Sequence, residues 1–86
     1  MSEFKGTPGP WKYTIRNVNE MMTTFHGVVM GDTYIEIATR NEREDAQLIS
    51  AAPELLEALK AVVMVADRQT DEFDKARAAI AKALGK

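Results

Sequence analysis

The sequence contains no cysteine and only one histidine, His26. Without cysteine there is no disulfide framework and no thiolate metal site. A single histidine in a chain without cysteine offers no Ser-His-Asp or Cys-His arrangement with an orienting partner. We therefore predict that the protein is not an enzyme and that it holds no metal ion and no cofactor.

A strong excess of charge and a long apolar run are also lacking. The 86 residues include 11 basic and 13 acidic side chains, and the formal net charge is −2. This balance disfavours a nucleic-acid partner, because binding to a duplex is dominated by neutralisation of phosphates. No segment reaches the roughly 18 apolar residues that a membrane span needs, and the N-terminal residues do not resemble a signal peptide. We expect a cytoplasmic protein without a membrane partner.

Apolar residues make up 45% of the sequence, which is enough for a globular core. A chain of this length forms one small domain, 1–86, with a strand-rich half at 1–40 and a helical half at 41–86. No repeat and no low-complexity segment divides it further.

The strand-rich half alternates in polarity. Residues 11–16 place Trp11, Tyr13 and Ile15 on one face, which is the period of a half-buried strand. The polar stretch 17–24 is predicted to be a loop, and further strands are predicted at 25–30 and 33–39. Gly31 and Asp32 between them suit a two-residue hairpin turn. This pattern predicts a three-stranded antiparallel meander.

The helical half has an apolar stripe interrupted by proline. Asn41 and Glu44 suit a capping box at its start. Pro53 lies inside the stripe, so we predict a first helix that is kinked or broken at Pro53. The predicted core seam, widened by Ile49, Leu56 and Val63, consists of Leu48, Ala52, Leu55, Leu59, Val62 and Ala66.

A polar stretch at 67–71 closes this helix and leads to a second one. Thr70 is its predicted N-cap and Gly85 follows its end. Its predicted inward stripe is Phe73, Ala76, Ile80 and Leu84. The complete expectation is an α+β fold in which the β-meander is followed by an αα-hairpin.

Two motifs and the C-terminal segment carry a family resemblance. The stretch 7–11 reads TPGPW, the stretch 45–59 reads DAQLISAAPELLEAL, and an Ala/Lys-rich segment, 76–86, closes the chain. Together they resemble small proteins of tailed bacteriophages and prophages that share TPGPW and (N/D)AxLIxAAPELLEAL. The resemblance implies a phage origin and a bacterial host cell, and it implies no particular activity.

The candidate binding residues are Trp11, Arg16, Tyr34 and Arg40. Trp11 follows the rigid PGP corner and is interpreted first as a packed lid over the end of the sheet, and second as a stacking platform. The two arginines would then serve as partners for an anion. His26 is interpreted as an exposed edge residue. Glu42, Glu44 and Asp45 suit the first turn of a helix rather than a metal site.

Three hypotheses for function remain open. The leading one is a non-catalytic phage or prophage accessory protein that binds a bacterial host protein, as a host-takeover or anti-defence factor. A homo-oligomer formed through leftover helical surface is compatible with it. The second is an oligomer that sequesters a nucleotide, with Trp11, Tyr13 or Tyr34 stacked on the base and Arg16 or Arg40 on a phosphate. The third is a small nucleic-acid-binding regulator.

Overall fold

Three strands precede three helices, which confirms the predicted α+β class. The computed structural model describes residues 4–65 and 70–86. The elements are β1 (Trp11–Val18), β2 (Thr23–Met30), β3 (Thr33–Ile37), α1 (Glu42–Ser50), α2 (Ala52–Val65) and α3 (Asp71–Ala83).

The strands form an antiparallel sheet in the order β1-β2-β3. β1 and β2 pair along their full length, from Trp11 opposite Met30 to Val18 opposite Thr23. The predicted loop at 17–24 is therefore too long, and only residues 19–22 connect the strands. Asn17 and Thr24 continue the ladder despite their polarity because they lie opposite each other, and the Thr24 hydroxyl donates to Asn17 Oδ1 at 2.9 Å.

The predicted turn at Gly31 and Asp32 is confirmed. β2 and β3 pair from Met30 opposite Thr33 to His26 opposite Ile37. Gly31 has a φ of 60°, the positive value that the first central residue of a type II′ hairpin turn requires. The turn therefore fixes the register of β3, which ends at Ile37 and not at residue 39.

One face of the sheet, the inner face, packs against α1. Helix α1 contacts all three strands, and β2 most extensively. Val28 of β2 and Ala46 of α1 are completely buried, and they form the centre of this core. Contacts divide the chain into two compact units, of which Thr7–Pro53 contains the sheet and α1. That the whole chain behaves as one domain stays a prediction.

The helical stripe is interrupted at Ala51, where α1 has ended and α2 has not begun. Pro53 is the second residue of α2, and proline is tolerated in a first turn because that N–H has no partner within the helix. The kink predicted at Pro53 is not confirmed. Pro53 instead approaches the TPGPW corner, since a Cβ built on Gly9 would lie 2.7 Å from Pro53 Cβ.

The predicted seam of the first helical stripe is confirmed only in part. Leu55 and Val62 are 53% and 52% exposed, whereas Val63 is 9% exposed. Leu48 is also exposed, and Ile49 and Leu56 are half-buried. Ala52 and Leu59 of the predicted seam are half-buried as well, so the inward face includes them together with the stripe that was expected only to widen the seam. Ala66 lies outside the described residues.

The second predicted helix is placed correctly. The Thr70 hydroxyl accepts a hydrogen bond from the Phe73 backbone N–H, as expected of an N-cap, and Gly85 has a φ of 80° just past α3. Ile80 is buried, and the other three inward residues of the stripe are half-buried. The polar closure predicted at 67–71 lies largely outside the described residues, and the packing of α2 and α3 as a hairpin stays a prediction.

The capping box predicted for α1 does not form. Asn41 is the N-cap residue by position, but its side chain makes no capping hydrogen bond. The Thr39 hydroxyl instead donates to the Asp45 carboxylate in the first turn. The three acidic residues there, Glu42, Glu44 and Asp45, favour the positive end of the helix dipole as predicted.

Candidate functional site

The outer face of the sheet, opposite α1, carries a cluster of aromatic and charged side chains. Because neighbouring residues of a strand point to opposite faces, Arg16 of β1, Phe25 of β2, and Tyr34 and Glu36 of β3 share this outer face. We call these four residues the outer-face cluster. β1 and β3 supply the two sides of this cluster, and β2 supplies its centre.

The guanidinium of Arg16 organises the cluster. Arg16 lies directly opposite Phe25 in the sheet, and its Cζ atom is 4.9 Å from the centroid of the Phe25 ring and 5.8 Å from that of Tyr34. Its Nη2 atom donates to Glu36 Oε1 at 2.8 Å. The cation is thus held by two ring faces and a carboxylate, which fixes the direction in which it points.

A glycine makes room for the Tyr34 ring. Gly27 lies between Thr14 and Glu36 in the ladder, and a Cβ built on it would lie 2.6 Å from Tyr34 Cε1. The tyrosine ring therefore lies directly over the Gly27 backbone, which is buried beneath it. Any side chain at this position would displace the ring from Arg16.

The cluster is exposed and permanently charged. Two hydrogen bonds raise the pKa of Arg16 above its usual value, and the one with Glu36 has a larger effect than the one with Tyr34. The cation therefore persists at any physiological pH. Both partners of the ion pair are substantially exposed to solvent, and such surface pairs contribute only about 0–1 kcal/mol to stability. The Arg16–Glu36 ion pair therefore adds little to the free energy of unfolding.

The four residues predicted to bind do not form one site. Arg16 and Tyr34 are brought together in the outer-face cluster. Trp11 shares the inner face with Tyr13, is half-buried, and donates its indole N–H to the Thr7 carbonyl at 3.1 Å. Arg40 is exposed in the turn before α1. Trp11 thus closes the TPGP corner at the opposite face of the sheet from Arg16.

The expectation that His26 is an exposed edge residue is wrong. His26 lies in the central strand and is 7% exposed. Its Nδ1 atom is 2.6 Å from the Tyr13 hydroxyl, and the two rings are stacked with centroids 5.9 Å apart. A buried imidazole is tolerated here because a neighbouring strand supplies its hydrogen-bond partner. The pair is part of the core beneath α1 rather than a surface site.

Sequence reasoning missed Phe25 and Glu36. Phe25 follows the predicted loop directly, and its position opposite Arg16 depends on a register that the sequence alone did not fix. Glu36 alternates with Ile35 and Ile37 in β3, and this pattern did place it on the same face as Tyr34. The ion pair could have been predicted from charge, because Glu36 is the single acidic residue of β3 and lies on the same face as the basic side chains of β1.

The described part of the chain contains no cluster of metal-ligand side chains and no helix that could span a membrane. Within residues 4–65 and 70–86, no three His, Asp or Glu side chains lie close enough together to hold a metal ion. No helix in these ranges is long and apolar enough to cross a membrane. The outer-face cluster is therefore the site that best combines exposure, fixed geometry and charge.

The fold and this cluster define a small α+β protein with an aromatic and charged surface on the open face of its sheet. Over residues 1–86 the chain matches the family model described as Salmonella phage P22 protein Y8K6, and it belongs to that family. It is thus a small phage protein, as the resemblance implied, although the match does not single out the two motifs. No curated protein and no solved structure matches the chain.

Proposed function

We propose that this phage protein is a non-catalytic accessory factor that binds a bacterial host protein in the cytoplasm through its outer-face cluster. The observation that carries the proposal is the exposed guanidinium of Arg16, held between Phe25 and Tyr34 by Glu36. Tyrosine and arginine are enriched among the residues that contribute most to protein–protein affinity. A host-takeover or anti-defence role is the use of such binding that we propose.

Preorganisation supports this assignment. Arg16 and Tyr34 already hold each other in place before any partner arrives, so little side-chain entropy remains to be lost on binding. The exposed ion pair of Arg16 with Glu36 gives little stability, so structural need alone does not account for it. The exposed aromatic and arginine side chains also match the composition by which protein interfaces differ from the rest of a surface.

Nucleotide sequestration is the weaker candidate. Arg16 would have to exchange the Glu36 carboxylate, 2.8 Å away, for a phosphate. Tyr13 is stacked on His26, and Trp11 shares its face, so neither can stack a base beside Arg16. Of the three rings proposed to stack a base, Tyr34 alone shares a face with this cation, and its ring already contacts it.

An affinity experiment with matched variants tests the proposal. Tagged wild-type protein is incubated with a Salmonella lysate, chosen because the family description names a Salmonella phage protein, and bound proteins and small molecules are identified by mass spectrometry. We expect a host protein that wild type retains and that Arg16→Ala and Tyr34→Ala lose. Arg77→Ala is the control, because Arg77 is also an arginine paired with a carboxylate, Asp74, at 3.3 Å. A host protein retained equally by all variants, or a nucleotide retained in its place, contradicts the proposal.

A further inference from the structure

β3 is an edge strand whose outward backbone groups can be identified. In a two-residue hairpin, the residues that flank the turn form a hydrogen-bonded pair, and such pairs then alternate along the ladder. Met30 and Thr33 flank the turn, so Thr33, Ile35 and Ile37 direct their backbone groups at β2. A Cβ built on Gly27 would lie 2.5 Å from the Ile35 carbonyl oxygen, in agreement with that direction. Tyr34 and Glu36 consequently present their N–H and C=O groups at the free edge.

This edge lacks three of the features that usually prevent strands from pairing. Those three are lysine, proline and a bulge. β3 contains none of these, and its pairing with β2 is continuous from Ile37 to Thr33. Ile35 is 39% exposed on the inner face of this edge. The opposite edge, β1, follows Pro10 and carries Lys12 and Arg16 with no acidic residue, so two copies of it would repel each other.

We infer that two copies of this chain associate through their β3 edges, as antiparallel strands with Ile35 of one copy opposite Ile35 of the other. In this register Tyr34 and Glu36 form the two hydrogen-bonded pairs, each tyrosine opposite the glutamate of the second copy. Thr33 lies opposite Ile37, and the whole of β3 is used. The inference goes beyond the proposed function, because it requires no host partner.

Charge and side-chain pairing select this register over its neighbours. Only registers that place Tyr34 and Glu36 in hydrogen-bonded positions use the outward backbone groups. A shift in one direction places Glu36 opposite Glu36 of the second copy. A shift in the other direction places Glu36 opposite Asp32 and removes the contact between the two Ile35 side chains. Like charges directly opposite each other destabilise a strand pair, so the register centred on Ile35 is the compatible one.

The dimer places the outer-face clusters of the two copies side by side. Directly opposed residues in a sheet lie on the same face, so both clusters lie on one side of the resulting six-stranded sheet. Tyr34 of each copy then lies beside Glu36 of the other, and the two clusters become one continuous surface. Because each copy contributes a five-residue strand, the interface is small and the association should be reversible and dependent on concentration.

Cysteine crosslinking tests the register, since the chain has no native cysteine. The two Cα atoms of a non-hydrogen-bonded antiparallel pair are about 4.5 Å apart, within the range that a disulfide spans. Oxidised Ile35→Cys should therefore form a crosslinked dimer many-fold faster than Ile15→Cys. Ile15 is a matched control because it is an inner-face isoleucine on the other edge strand and is 50% exposed. Equal crosslinking rates would overturn the inference.

Sedimentation over a wide concentration range tests the association itself. Wild type and Ile15→Lys should dimerise as concentration rises, and Ile35→Lys should stay monomeric while melting like a folded protein. A wild type that is monomeric throughout, or a dimer that survives Ile35→Lys and is lost in Val62→Lys, overturns the inference. The lysate experiment with Ile35→Lys separates this result from the proposed function, because the variant leaves Arg16 and Tyr34 in place.

Discussion

Gly9 and Pro53 lie in contact, although 43 positions of the sequence separate them. A Cβ built on Gly9 would lie 2.7 Å from Pro53 Cβ and 3.2 Å from its Cγ. Gly9 belongs to the TPGPW motif, and Pro53 belongs to the AAPELLEAL motif. The two motifs that carry the family resemblance therefore meet at one point in the fold, where the absence of a side chain on Gly9 admits the proline ring.

Gly9→Ala should destabilise the protein by about 1–3 kcal/mol, because an added methyl group has to displace the ring of Pro53. Urea denaturation followed by circular dichroism measures the change. The same substitution in a Pro53→Gly background is the control, since the colliding atoms are then absent. An equal cost in both backgrounds would show that the contact is not the reason.

Tyr13→Phe should lower the free energy of unfolding by about 1–3 kcal/mol, because it leaves the buried Nδ1 atom of His26 without its hydrogen-bond partner. Tyr34→Phe provides the control. It removes the same hydroxyl group from an exposed ring, so its effect should stay within about 0.5 kcal/mol. Similar denaturation midpoints for the two variants would contradict the role assigned to the Tyr13–His26 pair.

Val63→Ala and Val62→Ala test which face of α2 is inward. Val63 is 9% exposed and Val62 is 52% exposed. Val63→Ala should therefore cost about 1.5–2.5 kcal/mol through lost burial and a residual cavity, whereas Val62→Ala should cost no more than about 0.5 kcal/mol. Thermal melts of both variants give the comparison. The reverse order would restore the seam predicted from the sequence.

Met22→Gly should stabilise the protein by about 0.5–1 kcal/mol. Met22 has a φ of 51°, and the left-handed conformation costs a side-chain-bearing residue about 1–2 kcal/mol, part of which is offset by the flexibility that glycine adds to the unfolded chain. Its side chain is 93% exposed, so little packing is lost. Met21→Gly, next to it and without a positive φ, should give no gain. A loss of stability in Met22→Gly would contradict the strain argument.

Alternation of polarity and turn chemistry predicted most of the sheet. Helical periodicity was less successful, because two apolar stripes of the helical half are equally periodic. Gly31 marked the β2–β3 turn because its requirement for positive φ is local. In the helical half, Leu48, Leu55 and Val62 repeat with the same spacing as Ile49, Leu56 and Val63. Both stripes are apolar, and only the packing around them determines which one is inward.

The candidate site was also predicted only in part, because some of its residues come together through strand pairing that the sequence did not determine. Arg16 and Tyr34 were proposed individually from their chemistry, and the alternation of the strands places them on one face. Phe25 and the burial of His26 depend on the register between β1 and β2. That register is set by the four-residue connection at 19–22. The sequence did not indicate so short a connection, because the polar residues on either side of it were predicted to belong to the loop.

The central strand contributes to two surfaces that are chemically independent. Its residues alternate between the core, with His26 and Val28, and the outer face, with Phe25 and Gly27. Substitutions at outward positions can therefore change the chemistry of the outer face while the residues beneath α1 remain the same. The insertion of one residue would have the opposite effect, because it would exchange the two sets and turn the core outward. Point mutations can therefore revise the exposed face of this phage protein without rebuilding the fold.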